Sequence, residues 1–245
     1  MNEAELPPLS ELDFQAGATL LVDKPQDWTS FDVVNKIRFR LRKLTGVKRI
    51  KVGHAGTLDP LATGLLIICT GKSTKKLTDF QGLDKEYTGT FRLGGSTPSY
   101  DSETKVDHVF PYEHITEGML EAARQQFVGT IQQVPPMYSA IKVDGQPLYK
   151  RARQGEVIEI KARTVQLFEF ELTDLQLPDV SFRLHCSKGT YVRSLAHDMG
   201  HMLDSGAYLT ALRRTKVGDF HIENAWNLEE LIRELDELLE ERSLA

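Results

Sequence analysis

Residues 53–66 read Gly-His-Ala-Gly-Thr-Leu-Asp-Pro-Leu-Ala-Thr-Gly-Leu-Leu and continue into Ile-Ile-Cys-Thr. The run from Leu65 to Cys69 is the most apolar of the chain and reads as a buried strand. Three glycines and a proline immediately before it place a tight loop at the mouth of that strand. Asp59 sits on this loop, held extended or in a turn by Pro60, because proline sterics disfavour helix for the preceding residue. Apolar neighbours Leu58 and Leu61 predict a partly desolvated carboxylate. Aspartate before proline also commonly just starts a turn, and this stretch by itself supports either reading.

At 245 residues the chain can bury a substantial core, as one domain or one domain with an appendage. No stretch approaches a membrane span, and the polar, acidic N-terminus does not resemble a secretion signal, so a cytoplasmic location is expected. Cys69 and Cys186 lie in strand-like apolar surroundings without metal-ligand spacing and read as reduced core thiols.

Charge is unevenly spread. The net −5 includes −4 from residues 1–13 and −6 from residues 223–245, which leaves +5 for residues 14–222. Lys36 to Lys51 holds eight basic residues and no acidic one, a candidate footprint for phosphate or simply a solvated helix face. Gly71-Lys72-Ser73 invites comparison with a phosphate-binding loop of nucleotide triphosphatases. Leu66 occupies the place of that motif's first glycine, which excludes it.

Residues 18–23 read as a strand, and Ser30 as the cap of a helix to about Leu44 with Val33, Val34, Ile37, Leu41 and Leu44 inward. Lys36, Arg40 and Lys43 then share a stripe on the opposite face. Strands are predicted over Glu86–Leu93, with Tyr87, Gly89, Phe91 and Leu93 on one face, and over Val180–Cys186. Gly94 to Glu103 reads as a loop, and a helix from about Thr116 to Phe127 turns Met119, Leu120, Ala123 and Phe127 inward. Val134 to Arg153 mixes prolines, tyrosines and cations and reads as a surface segment suited to single-stranded RNA. Leu209 to Arg214 is the last basic element. Asn227 caps an acidic helix whose Leu228, Leu231, Ile232, Leu235, Leu238 and Leu239 form one face, with Glu230 placed to reach back to its start.

The 53–64 loop is followed by Lys85-Glu86-Tyr87, Pro136-Met137-Tyr138-Ser139-Ala140 and Gly189-Thr190-Tyr191-Val192-Arg193. With Asp23-Lys24-Pro25 and Leu212-Arg213-Arg214, these motifs resemble, in order and spacing, the TruB family, the tRNA pseudouridine-55 synthases. The resemblance runs from about residue 18 to 216. It implies an α+β fold with a single mixed, largely antiparallel sheet flanked by helices, a basic insertion and a C-terminal helix. Residues 1–17 are then an N-terminal extension, 18–216 the catalytic domain with an insertion at about 134–159, and 217–245 an acidic helix too short for the PUA domain that many members carry.

The resemblance further implies that a T-loop uridine of tRNA is isomerised: its uracil is detached at N1, turned and rejoined to the ribose through C5, without metal or redox cofactor. Asp59 matches the essential carboxylate, which attacks C1′ or removes a proton from C2′; both routes stay open. Tyr87, Tyr191 and Leu212 match pocket positions around the uracil. His54 matches a histidine that holds the base out of its loop, and Arg193 an arginine set against the aspartate that favours its ionised form. The T arm of tRNA is the implied partner; no membrane association is expected, and a monomer is the default expectation. Two other classes fit parts of the pattern. A non-catalytic clamp on the T arm would not need the Asp59, Tyr87 and Arg193 set, and a nucleoside or glycoside hydrolase would need a second carboxylate that has no comparable context here.

Overall fold

The computed structural model describes residues 8–143, 145–156 and 158–244. Residues 1–7 of the N-terminal extension, Asp144 and Val157 of the insertion and Ala245 lie outside the described residues. The strands are β1 (Thr19–Lys24), β2 (Val52–Ala55), β3 (Thr63–Thr70), β4 (Lys85–Leu93), β5 (Gly95–Ser96), β6 (His108–Val109) and β7 (Gly129–Gln133). They continue as β8 (Lys142–Val143), β9 (Gln146–Pro147), β10 (Arg163–Gln176), β11 (Asp179–Cys186), β12 (Ala207–Val217), β13 (Phe220–His221) and β14 (Trp226–Asn227). The helices are α1 (Ser30–Thr45), α2 (Leu77–Gly82), α3 (Glu117–Phe127), α4 (Leu148–Arg153), α5 (Val192–Met202) and α6 (Leu228–Leu244).

The fold is mixed, a large sheet of strand order β14-β1-β3-β12-β4-β11-β10-β7 flanked by helices, with β2 on β3 and β13 on β12. Pairing is parallel for β1–β14 and β3–β12 and antiparallel for β1–β3, β2–β3, β10–β11, β10–β7 and β12–β13. By contact density the chain divides into two compact units, one of residues up to Lys85 together with Arg213 onwards, the other Glu86–Leu212.

In the first unit, β3 explains why its sequence is apolar without alternation. Leu66 and Ile68 face a core shared with Val33, Val34, Ile37 and Leu41 of α1 and Leu228, Leu231 and Leu235 of α6. Leu65, Ile67 and Cys69 face a second cluster with Ala55 and Val217, against which Leu77, Phe80 and Leu83 pack. Both faces being covered, every residue of the strand from Gly64 to Thr70 is buried. The α1 cap is Thr29, one residue before the expected Ser30: Thr29 Oγ1 accepts from Asp32 N, and the Asp32 carboxylate accepts from Thr29 N at 3.0 Å, a reciprocal capping box. Asn227 Oδ1 accepts from Glu229 N at 2.9 Å and caps α6 as expected. The stripe of Lys36, Arg40 and Lys43 is not uniformly free. Arg40 Nη2 meets Asp236 of α6 at 2.9 Å, since the acidic helix docks on α1 and brings its carboxylate to this cation.

In the second unit, Val180, Phe182, Leu184 and Cys186 of β11 are all buried, matching their alternation. Gly89 of β4 lets the strands close: a Cβ there would lie 2.6 Å from the Phe182 ring and 2.7 Å from Ala211 O. In α3, Leu120, Ala123 and Phe127 are buried, but Met119 is exposed, because one step of about 100° turns it off the stripe that Leu120 buries. β5, inside the expected loop 94–103, pairs with β6 beyond it. The 134–153 segment carries the β8–β9 ladder and α4, anchored by the fully buried Leu148. No described helix is long and apolar enough to cross a membrane.

Candidate active site

The Asp59 loop of the first unit is clamped along its length by groups from three other segments. Leu58 donates its N–H to Ser30 Oγ at 2.9 Å, and Ser30 Oγ donates to Leu58 O at 3.1 Å. At Pro60, the carbonyl accepts from Asp27 N at 2.9 Å and from the fully buried Lys24 Nζ at 3.5 Å. Lys24 Nζ also donates to Pro25 O and Trp28 O, at 2.8 and 2.6 Å. The ends of the loop are held by Arg214, 1% exposed, whose Nε donates to Leu65 O at 2.7 Å and Nη2 to Gly56 O at 3.1 Å. Asp59 itself is half-buried and closes the turn by accepting from Ala62 N at 3.1 Å.

Gly64 is required where β3 meets β12. Its φ is +104°, and a Cβ would sit 2.3 Å from Arg214 O. Beside it Arg213 pairs bidentately with Asp23, Nη2 to Oδ2 at 2.7 Å and Nη1 to Oδ1 at 3.1 Å. The Asp-Lys-Pro and Leu-Arg-Arg motifs therefore work together. One residue of each forms an ion pair, and the next residue of each holds the Asp59 loop. His54, on β2, is held below the usual histidine pKa chiefly by burial and then by the Arg214 charge, against an opposing backbone contact at Gly56, and so favours its neutral form.

The remaining expected residues belong to the second unit. Tyr87 is 8% exposed on β4, and Leu212 is half-buried on β12. Tyr191 is the N-cap of α5, and the buried Gln133 amide grips its backbone twice: Tyr191 N donates to Gln133 Oε1 at 2.7 Å and Gln133 Nε2 to Tyr191 O at 3.0 Å. Arg193, 5% exposed, donates to Ser99 O at 2.9 Å and to Tyr138 O at 2.8 Å, and its Nε lies 3.5 Å from a carboxylate oxygen of the fully buried Asp101. Next to it, Ser194 Oγ donates to Val134 O at 2.8 Å. The first turn of α5 thus holds the loop before β6 and the start of the insertion. Further along, His197 stacks on Tyr100 with ring centroids 3.8 Å apart. Burial, with His201 adding to it, lowers His197 to about 4, and burial pushes Asp198 up to about 6.

Sequence reasoning missed Ser30, Lys24, Arg214, Gln133 and Asp101 as supports. Lys24 and Arg214 stood inside recognisable motifs, but Gln133 and Asp101 carried no local signal. A second basic feature was visible only in pieces. Arg49 and Lys51 from the cationic run and Lys72, Thr74 and Lys75 from the Gly-Lys-Ser region line one cavity of about 290 Å³ in the first unit, with no carboxylate in its wall.

Solved structures of similar fold include a Cbf5-Nop10-Gar1 complex (TM-score 0.68, 28% identity, 95% of this chain and 60% of that chain). An H/ACA RNP bound to a substrate RNA containing 2′-deoxyuridine aligns at TM-score 0.65 and 26% identity, over 95% of this chain and 59% of that one. This chain therefore spans about 60% of those structures. The sheet and its helices are those of the pseudouridine synthase class. Residues 42–192 match the family described as TruB family pseudouridylate synthase (N terminal domain), and residues 193–244 match the tRNA pseudouridylate synthase B C-terminal domain.

Curated relatives called tRNA pseudouridine synthase B include one from Flavobacterium johnsoniae, 55% identical over 87% of this chain and 93% of its own length. Another, from Phocaeicola vulgatus, is 52% identical over 92% of this chain and 96% of its own. The chain belongs to the TruB family. It is an isomerase that converts uridine to pseudouridine in tRNA.

Proposed function

We propose that the uridine is the one at position 55, in the T loop, and that Asp59 is the essential carboxylate acting on its ribose, as nucleophile at C1′ or base at C2′. The observation that supports Asp59 most is how tightly its turn is held: Ser30 fixes Leu58 at both backbone groups, and Lys24, Asp27 and Arg214 fix Pro60, Gly56 and Leu65. A reacting carboxylate gains rate from such preorganisation. The N1–C1′ bond breaks, the uracil turns, C5–C1′ forms, and the proton on C5 is released while N1 gains one.

Extruding the base from its loop costs a few kcal/mol, on the order of what ring stacking recovers. Tyr87, Tyr191 and Leu212 form the uracil pocket in this reading, Arg193 belongs to the same substrate-binding set, and neutral His54 holds the base out of its stack. The protein acts as a monomer on the T arm in the cytoplasm. Residues 18–216 form the catalytic domain, whose insertion closes over the RNA, and the acidic α6 stays off it. The cavity of Arg49, Lys51, Lys72 and Lys75 suits a backbone phosphate.

The test is tritium release from a T-arm hairpin labelled at C5 of its uridines, with Asp59→Asn as the comparison. Stoichiometric release that is lost in the variant supports the reading. Release only from whole tRNA moves recognition beyond the T arm, and unchanged release by Asp59→Asn removes the carboxylate from its role.

A further inference from the structure

The outer face of α1 carries features that neither the core nor the Asp59 loop uses. Phe31 is 61% and Phe39 54% exposed; they stand eight residues apart, two turns and about 80° further round the helix, and both emerge on its solvent side. Lysines of the helix lie over aromatic rings: Lys43 Nζ is 4.5 Å from the ring centroid of Phe39, and Lys36 Nζ is 4.6 Å from that of Trp28, which precedes the helix and packs on the core. Arg42 is exposed beside them. The opposite face of α1 is buried against β3 and α6, so this outer face is set rigidly by the core.

We infer that this face is a stacking platform for unpaired bases of the substrate tRNA, with Phe31 and Phe39 taking the bases and Lys36, Arg42 and Lys43 the flanking phosphates. Three observations carry the choice of occupant. First, exposed aromatics interleaved with cations are the composition that single-stranded RNA requires, since each base offers a ring face and each nucleotide a charge. Second, Lys36, Arg42 and Lys43 sit in a sixteen-residue run, Lys36 to Lys51, that contains no carboxylate of its own, which complements a polyanion. Arg40 of that run is taken by Asp236 of α6, and the three cations assigned here are separate from that pair. Third, Lys43 lies over the Phe39 ring, which is still 54% exposed, so a cation for phosphate and free ring surface for a base stand side by side.

The position is also suitable. Phe31 follows Ser30, whose hydroxyl binds both backbone groups of Leu58, so the first aromatic of the platform is tied through one residue to the Asp59 loop. Bases stacked there would be held at a fixed offset from the reacting ribose. The inference rests on tRNA as substrate and not on which uridine is modified.

The experiment compares wild type with Phe31→Ala/Phe39→Ala and with Phe31→Trp/Phe39→Trp. Whole-tRNA affinity is read by filter binding, and the single-turnover rate at saturating tRNA is read separately. The alanine pair is expected to bind roughly 10-fold more weakly or worse, with the saturated rate unchanged, and the tryptophan pair to retain affinity. Lys36→Gln/Lys43→Gln should make the dependence of affinity on salt shallower, whereas the phenylalanine variants should leave that slope alone. Because both rings are largely exposed, melting temperatures should stay near wild type, so a lost affinity is not an unfolded protein. Wild-type affinity in the alanine pair would overturn the inference, as would a loss of affinity that the tryptophan pair shares. A reduced saturated rate at normal affinity would also overturn it, since it would place these rings in the chemical step.

Discussion

Arg214 and Arg193 are both buried guanidiniums, one in each unit, and they are satisfied in different ways. Arg214 spends its donors on neutral backbone, the carbonyls of Leu65 and Gly56 at the two ends of the Asp59 loop. Arg193 also binds two carbonyls, Ser99 and Tyr138, but adds the carboxylate of Asp101, which is itself fully buried. The first is a brace for backbone, and the second is one member of a charge pair. Removing a brace leaves unpaired carbonyls. Removing one charge of a buried pair strands the other, which is the heavier penalty.

The largest effect should therefore come from Arg193→Met, a loss of about 3–5 kcal/mol in urea unfolding, with part of that recovered when Asp101→Asn is added. A double variant no more stable than the single would show that Asp101 is not what makes Arg193 costly to remove. Arg214→Met should lose about 2–3 kcal/mol, the desolvation penalty of two orphaned carbonyls, together with most of the activity, and no carboxylate substitution should rescue it. Rescue by removing an acid would erase the distinction between the two arginines. Smaller again, Ser30→Ala should lose about 1 kcal/mol and lower kcat at unchanged KM, because it loosens the Asp59 turn without touching the groups assigned to RNA binding.

The smallest effect is a pH dependence within the second unit. Asp198 has a folded-state pKa of about 6, raised from 3.8, so its contribution to stability is present below pH 3.8 and lost as pH rises through 6. His197, lowered from 6.5 to about 4, contributes above pH 6.5 and loses that contribution as pH falls through 4. Between pH 4 and 6 the two oppose each other and flatten the profile. Asp198→Asn should raise the melting temperature at pH 8, leave it unchanged near pH 3.5, and steepen the rise between pH 4 and 6.5. An unchanged profile would show that burial does not perturb this carboxyl.

The two units also differ in how much of them could be read in advance. The Asp59 loop was legible because glycines, a proline and an apolar run are consecutive in the chain, and loop chemistry is local. The alternation of β11 and the leucine face of α6 were legible for the same reason, since burial on one face imposes a period. Met119 was misplaced by a single helical step, and the α1 cap by one residue, because by type Ser30 is at least as good a cap as Thr29. Only the position of Asp32, three residues after Thr29, and the demand of Leu58 for both bonds of Ser30 separate them.

The sequence by itself determined the strands β1, β3, β4 and β11, the helices α1, α3 and α6, the TruB resemblance and the presentation of Asp59 on a tight turn, since these follow from neighbouring residues and their periodicity. Only the tertiary structure decided that Ser30 serves Leu58, that Arg40 meets Asp236, that Arg214 spans Gly56 to Leu65, and that Gln133 holds Tyr191. Those partners lie 28 to 196 residues apart in the chain. A buried polar group takes whichever partner the packed core brings within about 3 Å, and no local pattern of residues encodes that choice.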